Sequence, residues 1–117
     1  MLKRQLFLFA ALAIATVVRC SDSQQEWTVT FINLSNKGPV DVQVTLGADG
    51  KTTGEVKQIQ GNMQKTIISG KGSTIVNTIT VVQNDQKEVK TVNEKLLGGK
   101  EYRITIAEDG TVKTQIY

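Results

Sequence analysis

From Ser73 to Gln83 the chain reads Ser-Thr-Ile-Val-Asn-Thr-Ile-Thr-Val-Val-Gln, its densest run of β-branched residues, with no Pro or Gly inside it. Alternation with period two sets Ile75, Ile79 and Val81 on one face, and Val76 and Val82 on the other beside Thr78 and Thr80. A strand that is apolar on one face and half-apolar on the other is predicted to run through the middle of a sheet. Trp27, Val29 and Phe31 alternate with Thr28, Thr30 and Ile32 in the same way. Asn33 to Gly38 then carries turn residues, and Pro39, the only proline, stands at the mouth of the next strand, where a missing backbone donor is tolerated. Val40, Val42, Val44 and Leu46, opposite Asp41, Gln43 and Thr45, give the cleanest half-buried strand of the chain.

Two hairpins can be given a register. Glu108-Asp109-Gly110 reads as a three-residue loop ending on a left-handed Gly, which pairs Ile106 with Val112, Ile104 with Thr114 and Tyr102 with Ile116. Val44 to Lys51 carries the same chemistry, and the equivalent register pairs Leu46 with Thr52 and Val42 with Val56. Duplication would explain the likeness, but convergent turn chemistry is preferred because it is confined to these two segments. Weaker strands are predicted over Glu55 to Gln60 and Met63 to Ser69, with a turn at Ser69-Gly70-Lys71-Gly72. Beyond the central strand, an odd loop at Asn84-Asp85-Gln86 would oppose Val81 to Val89, in preference to a two-residue turn opposing Val81 to Glu88. A short strand follows over Lys87 to Asn93, and Glu94 to Leu97 reads as one helical turn before Gly98-Gly99.

The first twenty residues read differently. Lys3 and Arg4 precede an uncharged run from Leu6 to Val18, and Val18 and Cys20 suit a cut before Ser21, so 1–20 is expected to be a secretory signal peptide and 21–117 the single domain. A cut after Ala15 is the alternative, and it would keep Cys20 in the product. Lipidation of Cys20 is disfavoured by Arg19 immediately before it. The leader holds three of the fourteen basic residues and no acid, which leaves eleven bases against eleven acids from Ser21 onward. The overall charge of +3 therefore overstates the basicity of the domain, and nucleic-acid binding loses its electrostatic footing. With Cys20 the only cysteine, no intrachain disulfide can form, and the core must come from Val and Ile.

Candidate chemistry is sparse. The chain has no His, which removes the usual general base and transition-metal ligand, and no catalytic residue or cofactor is assigned. Asp49, Asp85 and Asp109 stand in loops that could be weighed for calcium, but they lack EF-hand spacing and read as turn formers, so no metal site is assigned. Asn33-Leu34-Ser35 is a glycosylation sequon; by strand phase Asn33 falls on the side of Trp27, Val29 and Phe31 and would accept a glycan only if the strand has already ended there, while the turn signals around it favour exposure. Thr28 with Thr30 and Thr78 with Thr80 raise the idea of an ice-binding face, although Thr is also an ordinary outward strand residue. Trp27 and Arg103 are each the only one of their kind after the leader. Trp27 reads first as core; either residue could anchor a partner, since Trp and Arg dominate interface hot spots.

The fold class that follows is all-β: a small antiparallel β-sandwich of seven or eight strands, with immunoglobulin-like or transthyretin-like architecture as an analogy only. The function that follows is a secreted, non-enzymatic binding or structural domain, extracellular or, in a bacterium, periplasmic. Its expected partner is a protein or an extracellular surface, with no nucleic acid and no membrane span. The alternative is a carrier of a small apolar ligand, against which the small size of the domain counts. Lys57, Lys65, Lys87 and Lys90 look like charges that protect strand edges, consistent with a monomer or a weak homo-oligomer.

Overall fold

The computed structural model describes residues 25–117. The expected signal peptide and Cys20 lie outside them. Eight strands follow one another without a helix: β1 (Glu26–Asn33), β2 (Val40–Leu46), β3 (Thr52–Ile59), β4 (Met63–Lys71), β5 (Ser73–Gln83), β6 (Gln86–Leu97), β7 (Glu101–Ile106) and β8 (Val112–Ile116). They form two four-stranded sheets, ordered β4-β1-β7-β8 and β3-β2-β5-β6, so the fold is the expected β-sandwich. Every pairing is antiparallel except β1 with β7. That parallel contact arises because the chain visits the second sheet between the two strands, which no local pattern announces.

The alternating side chains meet between the sheets. Val29 and Phe31 from β1, Val42, Val44 and Leu46 from β2, Ile79 from β5 and Tyr102, Ile104 and Ile106 from β7 are all buried. Each such aliphatic or aromatic side chain contributes about 1.5–3 kcal/mol relative to an exposed position. Loss of any one is a sizeable part of the roughly 5–15 kcal/mol by which a domain is stable.

Both predicted hairpin registers are present. Ile106 faces Val112, Ile104 faces Thr114 and Tyr102 faces Ile116, while Leu46 faces Thr52 and Val42 faces Val56. The turns share a mechanism: Asp49 Oδ1 accepts the Lys51 N–H at 3.1 Å, and Asp109 Oδ1 accepts the Thr111 N–H at 3.0 Å. A following Gly, Gly50 or Gly110, takes the positive φ.

Four local expectations are corrected. In β5, Val76 lies inside with Ile79 and Val81 while Ile75 is only half-buried, because Asn77 is an extra residue in the register between Val76 and Thr78. Asn77 Nδ2 donates to Gly47 O at 2.7 Å, which fixes the bulge. Val81 opposes Glu88 and not Val89, since Asn84 and Asp85 make a two-residue turn with φ of 51° and 62°. Asn and Asp tolerate that conformation, and its twist suits a hairpin better than a longer loop does. Glu94 to Leu97 is strand, not a helical turn: β6 continues past a kink at Asn93 (φ 51°) and delivers Leu96 to the core opposite Thr74. Ser69, Gly70 and Lys71 extend β4, leaving Gly72 alone, at φ 83°, to carry the chain across to β5.

Gly70 is required by packing and not by its backbone angle. A Cβ at that position would stand 2.6 Å from Cζ2 of Trp27, whose ring lies over it. Gly70→Ala is therefore expected to cost about 1–3 kcal/mol, read as a lower denaturant midpoint with an unchanged slope.

Candidate interaction surfaces

Trp27 and Arg103 stand on adjacent strands of one sheet but on opposite faces of it. The Trp27 ring is 7% exposed and closes one end of the core, so it offers a partner almost nothing. Arg103 lies on the outer face, where its guanidinium donates to Glu101 Oε1 at 2.7 Å and stacks over the Tyr117 ring, 4.1 Å from the centroid. Tyr117 is itself placed by paired backbone bonds with Glu101 and donates its hydroxyl to Gln115 Oε1 at 3.0 Å. Beneath this cover Thr30, which alternation points outward, is 1% exposed. The Glu101 carboxyl is held below its usual range, chiefly by a hydrogen bond from Thr30; burial opposes this as the next largest effect, and the hydrogen bond and charge of Arg103 lower it further by smaller amounts. The cluster is a rigid cation–aromatic patch, since stacking and the short ion pair both restrain the arginine.

The exposure that the turn signals favoured for Asn33 is corrected, and its strand phase holds. Asn33 is fully buried at the end of β1. Its Nδ2, the atom to which a glycan would be joined, donates to Ile59 O at 2.8 Å and to Gly38 O at 3.3 Å, and its Oδ1 accepts the Ser35 N–H at 2.9 Å. The turn signals around it were real, but the side chain turns inward to satisfy the backbone that the turn leaves unpaired. Ser35 continues the network: its Oγ accepts from Lys37 N and from Gln83 Nε2, both at 3.1 Å, so the clasp reaches the tip of the β5–β6 hairpin in the other sheet.

The threonine pairs do not share a plane. Thr28 and Thr30 belong to one outer face of the sandwich, and Thr78 and Thr80 to the other. An ice-binding face made of these residues is thereby excluded. The registers instead assemble a row that the sequence did not show, with Thr53, Thr45, Thr78 and Thr91 facing one another across all four strands of the second sheet. Its two central hydroxyls bond each other at 2.6 Å. Alternation gave the outward side of Thr45, but only strand pairing put it beside Thr78.

Among the described residues, no three His, Cys, Asp or Glu side chains gather to hold a metal ion. Asp49 and Asp109 are occupied with their own turns, and Asp85 forms the tip of the β5–β6 hairpin. Lys57, Lys65, Lys87 and Lys90 fall on β3, β4 and β6, three of the four edge strands. Of these, β6 is the least covered. From Gln86 to Thr91 it is exposed at every position, on both faces, and Val89 is 58% exposed.

No family model matches the chain, and no curated protein matches it. Among solved structures, a candidate cell adhesion protein from Bacteroides ovatus superposes over 81% of this chain at 10% identity and a TM-score of 0.38. The chain spans 44% of that protein's length. A likeness of this size carries no argument beyond itself.

Two outcomes test the geometry of these surfaces. Asn33→Ala is expected to destabilise the domain by roughly 2–3 kcal/mol in chemical denaturation, because it strands buried backbone groups. A carboxylate with a lowered folded pKa contributes stability above its unfolded pKa and loses it as pH falls through the folded value. Glu101→Gln should therefore flatten the fall in melting temperature on acidification below about pH 4.5, the ordinary glutamate value. At neutral pH the variant should be less stable than the parent.

Proposed function

We propose that this is a non-enzymatic extracellular interaction domain that recognises a protein or surface through its exterior. The observation that supports the reading is a sandwich interior filled by the domain's own side chains: Phe31, Leu46, Ile79 and Tyr102 are among those less than 2% exposed. A ligand carrier of this build would need space between the sheets, and burial of such side chains leaves none for a drug-sized molecule. The grooves at the hairpin ends are open to solvent. One of about 330 Å³ is lined by Lys37, Gln83, Asn84, Lys87, Glu88 and Asp109. The leader-like N-terminal segment supports export, and no helix among the described residues is long and apolar enough to cross a membrane.

On this reading recognition uses the Arg103–Tyr117 patch, the threonine row and the strand edges. The exterior is matched in charge, so short-range contact and not long-range steering should govern association. Native mass spectrometry of protein purified without denaturation is expected to give the bare chain mass. A stoichiometric apolar companion would overturn the reading in favour of the carrier. Beads coated with the domain should be retained on extracellular matrix, and Arg103→Ala should reduce that retention at a temperature where circular dichroism shows the variant folded, although loss of the Tyr117 stack and the Glu101 pair also lowers its melting temperature.

A further inference from the structure

Among the strand edges, the free edge of β6 carries a pattern of its own. Gln83 and Gln86 flank the two-residue turn and so exchange both backbone bonds with each other. By alternation Gln86, Glu88 and Lys90 direct their backbone groups to β5, whereas Lys87, Val89 and Thr91 direct theirs to the open edge. On that edge the side chains alternate as well. Val89 shares the outer face with its cross-strand partner Thr80, while Glu88 and Lys90 face the side of the other sheet, opposite Val81 and Ile79. Both charges are nevertheless exposed, and Glu88 lines an open groove together with Asp109 and Gly110 of the β7–β8 turn.

We propose that β6 pairs antiparallel with β6 of a second copy of this chain, about a two-fold axis at Val89. The two sheets would then join into one continuous eight-stranded sheet. With the axis at Val89, Lys87, Val89 and Thr91, whose N–H and C=O groups are free, fall opposite Thr91, Val89 and Lys87 of the second copy. Each Glu88 falls opposite Lys90 of the second copy, twice by symmetry, and the two exposed Val89 side chains meet on the axis. Neighbouring registers fail for stated reasons. Moving the axis by one residue sets Glu88 against Glu88 or Lys90 against Lys90, and like charges directly opposite destabilise a pair. A one-residue slip of register sets free backbone groups against groups already bonded to β5. Charges on an edge strand ordinarily discourage pairing. Here Glu88 and Lys90 are complementary to their own copy, so they permit one arrangement and oppose the others. The inference accepts the exterior as the working surface and adds which partner one edge takes.

Sedimentation equilibrium of the full domain from about 10 μM to 1 mM tests the pairing, over the affinity range expected of so short a contact. A monomer–dimer equilibrium is expected. Glu88→Lys alone and Lys90→Glu alone should each weaken it roughly tenfold or more, by replacing two attractive pairs with two repulsive ones. The double variant carrying both changes should restore the parent affinity to within about threefold, since it exchanges the charges without changing their complementarity. Val89→Pro removes a free edge donor, which an edge strand tolerates, and should abolish the dimer while circular dichroism stays unchanged. Hydrogen exchange at the Lys87, Val89 and Thr91 amides should slow as concentration rises. A parent that stays monomeric to 1 mM overturns the proposal, as does a dimer that the double variant fails to recover. Either outcome leaves the bare-mass test of the interaction reading unaffected, so the two can fail separately.

Discussion

The sandwich depends on β1. It is the one strand paired on both sides by strands reached after the chain has crossed to the other sheet, antiparallel to β4 and parallel to β7. Its inward stripe of Trp27, Val29 and Phe31 fills the core along most of its length. The crossing segments are bonded to its ends: Gly72 N and Gly99 N donate to Gln25 O and Glu26 O, and Asn62 N donates to Asn33 O. At the far end the stripe finishes in the buried amide of Asn33, which binds the ends of β1 and β3 and the intervening turn. A polar group in that place is tolerated only because its hydrogen bonds are made, and it fixes where three chain segments meet.

The two sides of the sandwich differ for a packing reason. On the β3/β4 side the strands approach closely enough that a Cβ at Gly54 would stand 2.6 Å from Ile67 Cγ2. That side is sealed. On the other side β6 is exposed on both faces from Gln86 to Thr91, and Glu88 lines an open groove that the β7–β8 turn also borders. The molecule therefore has one closed side, one open edge, and outer faces that carry the Arg103 patch and the threonine row.

The legible part of the surface was its chemistry, and the illegible part its grouping. Arg103 stood out by its singularity, but its setting came from Glu101 two residues before it and from Tyr117 just past the end of β8. Trp27 was legible as core from its phase in an alternating strand. At Asn33 strand phase and turn signals pointed opposite ways, and phase prevailed because the turn residues that suggest exposure also create backbone groups that need a buried partner. The threonine row required three strand registers at once, and the exposed edge of β6 required knowing its place at the end of the second sheet.

The sequence by itself determined the all-β class, the inward stripes of β1, β2 and β7, and the registers of two hairpins. Each of these follows from alternation and from turn residues within a few positions of one another. Tertiary structure alone decided the division of the strands between two sheets, the parallel β1–β7 pair, the bulge that brings Val76 inside and the extension of β6 to Leu96. These are contacts between segments distant in the chain, where the free energy of a shared core outweighs local preference.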